Sequence, residues 1–336
     1  MLKSKKTTIK DIAKQLGIHH STVSRALRDH PDIHPDTIKL IKRTAEKMNY
    51  HPNLFARNLK NNQTNLIGVI VPEIKHHFFA NAISGIEEAA QANGYVIIVC
   101  QSNEDYEREV INTKALMENR IEGLLVSVSQ TTFDGSHFQR FIDEGGKLVF
   151  FDRALDSVNA SKIIVEDYRG AFKATEYLIK KGKKRIAHLA GTKELEISQQ
   201  RYNGYRDALK KHNIPLRRNL VYWGGFQEED GMEGTEYLLK LKNRPDAIFA
   251  VNDPTAIGAY EIIEREKLKI PDDIAVVGFS NNPISAFIKP ALTTIEQPSY
   301  EMGKAAMELL SEILKSERNR KVKKVLKTKL IIRDSV

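Results

Sequence analysis

TIKDIAKQLGIHHSTVSRAL, residues 8–27, decides how the N-terminal part of the chain is read. Thr8 and, three residues on, Asp11 offer side-chain oxygens to the backbone N–H groups that a helix start leaves without partners. Ile12, Ala13 and Leu16 then fall on one helical face. Gly17 can take the positive φ that ends a helix. Thr22, Val23, Ala26 and Leu27 suit a second helix packed across the first, and the pair is a helix-turn-helix. The opposite face of the second helix carries His20, Ser21, Ser24 and Arg25. These are short or planar hydrogen-bonding groups, and an Arg fork can grip guanine O6 and N7 while His and Ser reach base edges or phosphates. A solvated face of an ordinary helical hairpin is the competing reading, and the surrounding sequence has to decide between them.

Beyond the second helix, Asp29, Pro31 and Asp32 form a loop, and Pro35 is a favourable first residue for a third helix. Ile38, Ile41, Ala45 and Met48 give that helix an apolar stripe, so three short helices close a small core before Tyr50, His51 and Pro52. Asn53 is a competent N-cap for about two turns from Leu54 to Lys60. Isolated helices shorter than about 12 residues are marginal in water, so this one is expected to order only on docking. Residues 61–65 read as a polar linker. Charge separates the head from the rest: residues 1–65 hold thirteen Lys or Arg against five Asp or Glu, whereas the remaining residues hold 39 against 38. A compact basic unit on a neutral body is what phosphate neutralisation requires, and it favours nucleic acid over the bland reading.

From Leu66 the texture changes. LIGVIV, YVIIVC, GLLVSV and KLVFF read as buried parallel strands, and RIAHLA, DAIFAV and IAVVGF repeat the pattern. Between them lie amphipathic stretches such as Phe79, Ala82, Ile83, Ile86, Ala89 and Ala90, with further helices expected near 168–181, 198–212, 253–267 and 298–315. Repeated β-α units imply doubly wound parallel sheets, and this length suits two lobes with a ligand crevice at the carboxyl ends of their strands.

At 336 residues, 41% hydrophobic and 28% charged, the chain is expected to be globular and multi-domain. No apolar run reaches membrane-spanning length and MLKSKKTTIKD contains no export signal, so a cytoplasmic location is expected. The single cysteine, Cys100, reads as a buried strand residue without a disulfide or zinc role. No G-x-G-x-x-G follows the first strand, and neither a phosphate-binding G-x-x-x-x-G-K-[ST] nor a G-x-S-x-G elbow occurs; GFSNN, residues 278–282, lacks the last glycine. His76 and His77 are adjacent and read as surface or loop residues rather than a metal pair. No catalytic residue, metal or cofactor is expected.

Taken in order, TIKDIAKQLGI, STVSRAL, NYHPNLFARNLK, NLIGVIVPEI, FFDR, QQRYNGYRDAL, DAIFAVNDPTAIGA, IPDDIAVVGFSN and LTTIEQP resemble the lactose repressor and galactose repressor (LacI/GalR) family of bacterial transcription factors over essentially the whole chain. The resemblance implies a homodimer on a pseudo-palindromic operator. His20, Ser21 and Arg25 would read bases, and Thr8, Thr22 and Ser24 would hold phosphates. It also implies that Asn53, Ala56, Leu59 and Lys60 serve a hinge helix, with Leu59 wedged between base steps in the minor groove. His19 and His34 depart from the serine caps common in the family, which leaves those helix starts open.

The body resembles periplasmic sugar-binding proteins. This implies effector contacts at Asp152, Arg201, Asn252, Phe226, Phe78, Phe79 and Ser280, since carboxylate, amide and guanidinium groups bind hydroxyls and aromatic faces cover C–H surfaces. Competing structural roles are plain core for the phenylalanines, a helix cap for Asp253 and an interdomain salt bridge for Arg153. Ser280 stands where the family commonly has aspartate. The missing carboxylate is expected to leave Arg201, and with it Arg153, under-balanced, which would favour an acidic or phosphorylated sugar.

The expected organisation is therefore a DNA-binding domain at 1–52, a hinge and linker at 53–65, and an effector-binding and dimerisation domain at 66–336. Its lobes are expected at 66–164 plus 294–322 and at 165–293 plus 323–336. The expected function is that of a transcriptional regulator, a repressor controlled by a carbohydrate-like effector. The alternatives are a sugar-binding receptor without regulatory role, which the basic head disfavours, and an unrecognised α/β enzyme with a DNA-binding head. No leucine heptads follow KTKLIIRD, so a dimer is expected rather than a tetramer.

Overall fold

The computed structural model describes residues 7–50, 64–316 and 321–336. Asn53, Ala56, Leu59 and Lys60 lie outside the described residues. The chain divides into two units, the first ending at Thr64 and the second beginning at Asn65.

In the first unit, Thr8 and Asp11 cap each other at the start of the helix Ile9–Leu16. The Thr8 hydroxyl accepts from the Asp11 N–H at 3.3 Å, and the Asp11 carboxylate accepts from the Thr8 N–H at 2.8 Å. Gly17 ends the helix at φ 63°, a conformation that costs a residue with a Cβ about 1 kcal/mol or more. The helices His20–Ala26 and Pro35–Lys47 follow, and Ile12, Val23, Ala26 and Ile41 are fully buried where the three meet. His19 and His34 replace the expected serine caps and still start their helices. Each offers its Nδ1 to a backbone N–H at 3.4 Å, that of Ser21 and of Asp36 respectively, which requires a bare Nδ1 lone pair.

The second unit holds two six-stranded sheets. The first comprises β1 (Leu66–Val71), β2 (Val96–Gln101), β3 (Gly123–Val126), β4 (Lys147–Phe151), β5 (Ser161–Val165) and β11 (Lys323–Leu326) in the order β11-β5-β4-β3-β1-β2. All its described pairings are parallel. The second comprises β6 (Ile186–Ala190), β7 (Val221–Trp223), β8 (Ala247–Ala250), β9 (Ala275–Ser280), β10 (Thr293–Glu296) and β12 (Lys329–Ile331) in the order β12-β10-β9-β8-β6-β7, antiparallel at β12. Central strands read as unbroken apolar runs because helices cover both faces. On one side of β1, Ile67, Val69 and Val71 meet the helices His77–Ala92 and Ser299–Lys315; on the other, Ile70 meets Leu116, Phe138 and Phe141. The first two helices touch backbone to backbone: a Cβ on Gly303 would stand 1.9 Å from the Ala82 carbonyl oxygen.

Among the described residues the chain passes between the sheets three times, at 165–167, 296–299 and 326–329. This corrects the expected lobe boundaries. β10 belongs to the second sheet although 294–322 was assigned to the first lobe, and β11 belongs to the first although 323–336 was assigned to the second. The reason is that β11, KKVL, is a lysine-rich, largely exposed edge strand with no buried-strand signature, and only its pairing with β5 places it. β2 is the opposite edge, so Cys100 is half-buried rather than buried, and that partial burial pushes its thiol pKa up.

Candidate functional site

Two surfaces carry the groups singled out by the sequence. In the first unit, the helix His20–Ala26 turns Val23 and Ala26 into the core, which leaves His20, Ser21 and Arg25 exposed and Thr22 and Ser24 half-buried on the other side. The separation follows from the 3.6-residue period, since the two sets lie on opposite faces. Thr8 is exposed, but its hydroxyl is already engaged by Asp11 at 2.6 Å, so helix capping is its visible role.

In the second unit, all seven expected effector residues line one cavity of about 280 Å³ at the carboxyl ends of the strands. Asp152 follows β4, Asn252 follows β8, Ser280 ends β9, and Phe78 and Phe79 open the helix His77–Ala92. Asp152, Ser280 and Asn281 all hold positive φ, at 59°, 129° and 57°. Backbone held in such sparsely populated regions concentrates at ligand sites, where it aims polar groups.

The electrostatics differ from expectation. Arg201 on the helix Glu196–Lys211 is buried, bonded to Asp167 at 2.8 and 2.7 Å and to the Val251 carbonyl at 2.6 Å, with its guanidinium 3.8 Å from the Phe279 ring centroid. Arg153 is matched by Glu104 at 2.8 Å. Ser280 therefore does not leave these cations under-balanced; its hydroxyl donates to Gln297 at 2.9 Å. Neither cation is left unpaired to favour an acidic effector, because each guanidinium already has a carboxylate. Nor is Arg153 in an interdomain salt bridge: Glu104 shares its lobe. What reaches the other lobe is stacking, with the guanidinium 4.5 Å from the Phe226 ring centroid. Burial raises the Asp152 pKa to about 6, against the opposing pull of Arg153 and Arg201.

Asn252, not Asp253, is the helix cap: its carbonyl oxygen accepts from the Thr255 N–H at 2.9 Å and its amide donates to the Phe226 carbonyl at 2.7 Å. Asp253 is instead buried, accepting from Asn282 N–H, Ser285 and Thr294. Phe79 does double duty, buried in the first lobe's core while lining the cavity. His76 and His77 also line the cavity, and His76 bonds Glu73 at 2.7 Å. Sequence reading did not assign Asn281, Asn282, Glu296 or Gln297 to the cavity, nor Asp167 to the Arg201 that lines it. The asparagine pair lay in GFSNN and the others flank the lobe crossings, so only the chain path brings them there.

Residues 8–53 match the profile of bacterial regulatory proteins of the lacI family, and residues 175–336 match that of a periplasmic binding protein-like domain. The HTH-type transcriptional repressor PurR of Vibrio campbellii is 32% identical over 331 residues, 98% of this chain and 98% of its own. A solved complex of the transcriptional regulator CelR with cellobiose shares 25% identity at a TM-score of 0.77, covering 98% of this chain and 100% of that one. The lac repressor dimer bound to operator and the anti-inducer ONPF shares the fold at a TM-score of 0.87 and 24% identity, covering 98% and 99%.

Proposed function

The chain belongs to the LacI family of bacterial regulatory proteins, and from that premise we propose that it is a homodimeric repressor whose hold on a pseudo-palindromic operator is set by a carbohydrate-like effector bound between its two lobes. A LacI-family repressor with an effector-binding domain is a regulator and not an enzyme. His20, Ser21 and Arg25 read bases, Thr8, Thr22 and Ser24 lie against phosphates, and Asn53, Ala56, Leu59 and Lys60 form the minor-groove hinge. The observation that carries the effector reading is the cavity. Asp152 from one lobe meets Arg201 and Asn252 from the other, beside the aromatic faces of Phe78, Phe79 and Phe226. Such a mixture of fork donors, amide, carboxylate and flat apolar surface suits a ring bearing hydroxyls. CelR, which covers 98% of this chain, was solved with cellobiose.

An effector can change DNA affinity only by binding one lobe arrangement better than another, and three chain crossings between the lobes transmit that difference. The test uses the full chain and a duplex enriched from a random library. Its dissociation constant is measured with neutral sugars, uronates, sugar phosphates and nucleobases in turn. One carbohydrate is expected to shift operator affinity by roughly 5- to 150-fold, in a direction the titration itself reveals. Response to a nucleobase with every sugar inert overturns the effector class.

A further inference from the structure

The recognition helix has an unassigned cation at its end. Backbone bonding closes the helix with Arg28 N–H on the Arg25 carbonyl, Asp29 N–H on Ala26 and His30 N–H on Arg25, with Asp29 at φ 53°. This paired closure is the Schellman arrangement, here with Asp in the position glycine usually takes. Asp29 is pinned there by Lys42 of the third helix at 2.7 and 2.8 Å. Because Arg28 N–H goes to Arg25, it does not bond the Ser24 carbonyl, four residues back. The Arg28 side chain folds back and serves it, with Nε donating to the Ser24 carbonyl at 3.0 Å and Nη2 to the Ser24 hydroxyl at 3.2 Å.

Arg28 is thus exposed and yet held in one place. A guanidinium has five N–H donors, and Ser24 takes two of them, so three remain for another acceptor. Helical spacing sets Arg28 on the stripe of Ser21, Ser24 and Arg25, one turn beyond Arg25. The nearest carboxylate in sequence, Asp29, is occupied by Lys42.

We propose that Arg28 is a pre-organised clamp for a DNA backbone phosphate, which fixes the register of the recognition helix and orients Ser24 without reading a base. A fork already ordered by Ser24 loses less freedom on binding than a free arginine does, and guanidinium suits phosphate geometry. The inference deepens the operator-binding reading given above and rests on it.

The test compares wild type, Arg28→Ala, Arg28→Lys and Arg25→Ala full chains on the library-enriched duplex and on a scrambled duplex between 50 and 200 mM KCl, with helical circular dichroism of each. Loss of one phosphate contact lowers the slope of log affinity against log salt by about 0.9 per head. Arg28→Ala is expected to show that drop, with affinity falling by the same factor on both duplexes, on the order of tenfold. Arg28→Lys should restore the slope but not the full affinity, since lysine keeps the charge and loses the Nε anchor. An unchanged slope in folded Arg28→Ala, or an altered base preference, overturns the clamp. Should wild type itself prefer no duplex, the operator-binding reading fails and not this assignment alone.

Discussion

Arg153 donates through Nη1 to both carboxylate oxygens of Glu104, at 2.9 and 2.8 Å, and both side chains are buried within the first lobe. Glu104 also accepts from the Gln130 N–H at 2.7 Å, so the carboxylate is fixed before it fixes the guanidinium. The consequence is felt across the cavity, where Arg153 lies against Phe226 of the second lobe. Removing one partner of a buried pair leaves an uncompensated charge and costs about 3–5 kcal/mol, whereas replacing both by apolar groups can be nearly neutral. Glu104→Ala is expected to lose stability in that range by urea unfolding, and the double variant Glu104→Leu with Arg153→Met to recover most of it. A single-variant loss below about 1 kcal/mol would show that water already solvates the pair.

Asp152 titrates in an unusual place, with burial lifting its pKa from 3.8 to about 6. On the effector reading proposed above, the carboxylate would accept hydrogen bonds from ligand hydroxyls above that pH; below it, the protonated group has lost its charge and gained a donor. Effector affinity is therefore expected to be flat near pH 8 and to fall as pH drops through 6, by at most tenfold per unit. Without ligand the sign reverses. The raised pKa contributes stability that is fully present below 3.8 and lost as pH rises through about 6. Calorimetry of effector binding and urea midpoints from pH 5 to 8 read both trends, and Asp152→Asn should flatten them. A wild-type binding profile without inflection in this range removes Asp152 from the contact set.

The sequence made the head legible because local rules decide its helices: the Thr8–Asp11 box, Gly17 and the apolar spacing inside each helix, which turns Ile12, Val23 and Ile41 inward, all act within a few residues. The central strands were legible for the same reason, since burial on both faces leaves unbroken apolar runs. What was not legible depends on the path of the chain. β11 is placed by pairing with β5 some 160 residues earlier in sequence, as Val325 beside Ile164 shows, and its own composition argues for solvent. The Ser280 inference failed similarly. It counted charges at positions matched to a family, whereas Arg201 finds its carboxylate in Asp167, at a lobe crossing that no local pattern marks.

Ile284, within the short turn Pro283–Ala286, is 46% exposed, and Phe287, directly after it, is 75% exposed. Large apolar side chains standing out together mark a surface for a partner to cover, and on the homodimer proposed above that partner is a second copy of the chain. Phe287→Asp is expected to shift sedimentation from dimer to monomer at micromolar concentration while leaving circular dichroism unchanged. Operator affinity should fall with it, because the second head no longer binds at high effective concentration. A dimer unaffected by this substitution places the interface elsewhere.

On the proposed operator complex, Arg25 and Leu59 would separate two ways of being specific. Arg25 is exposed on the recognition helix, where fork contact with a guanine edge is worth about 1–3 kcal/mol of discrimination. Arg25→Ala is therefore expected to relax preference at one base position in each half-site while the body stays folded. Leu59 would act through deformation, since a wedge between base steps costs unstacking energy that only the correctly bent site repays. Leu59→Ala should weaken binding to the selected duplex far more than to a scrambled one, and should narrow the bend measured by electrophoretic phasing. The scrambled duplex never pays for the kink, so it has nothing to lose. Equal losses on both duplexes would assign Leu59 to general adhesion, and an unchanged bend would remove the wedge altogether.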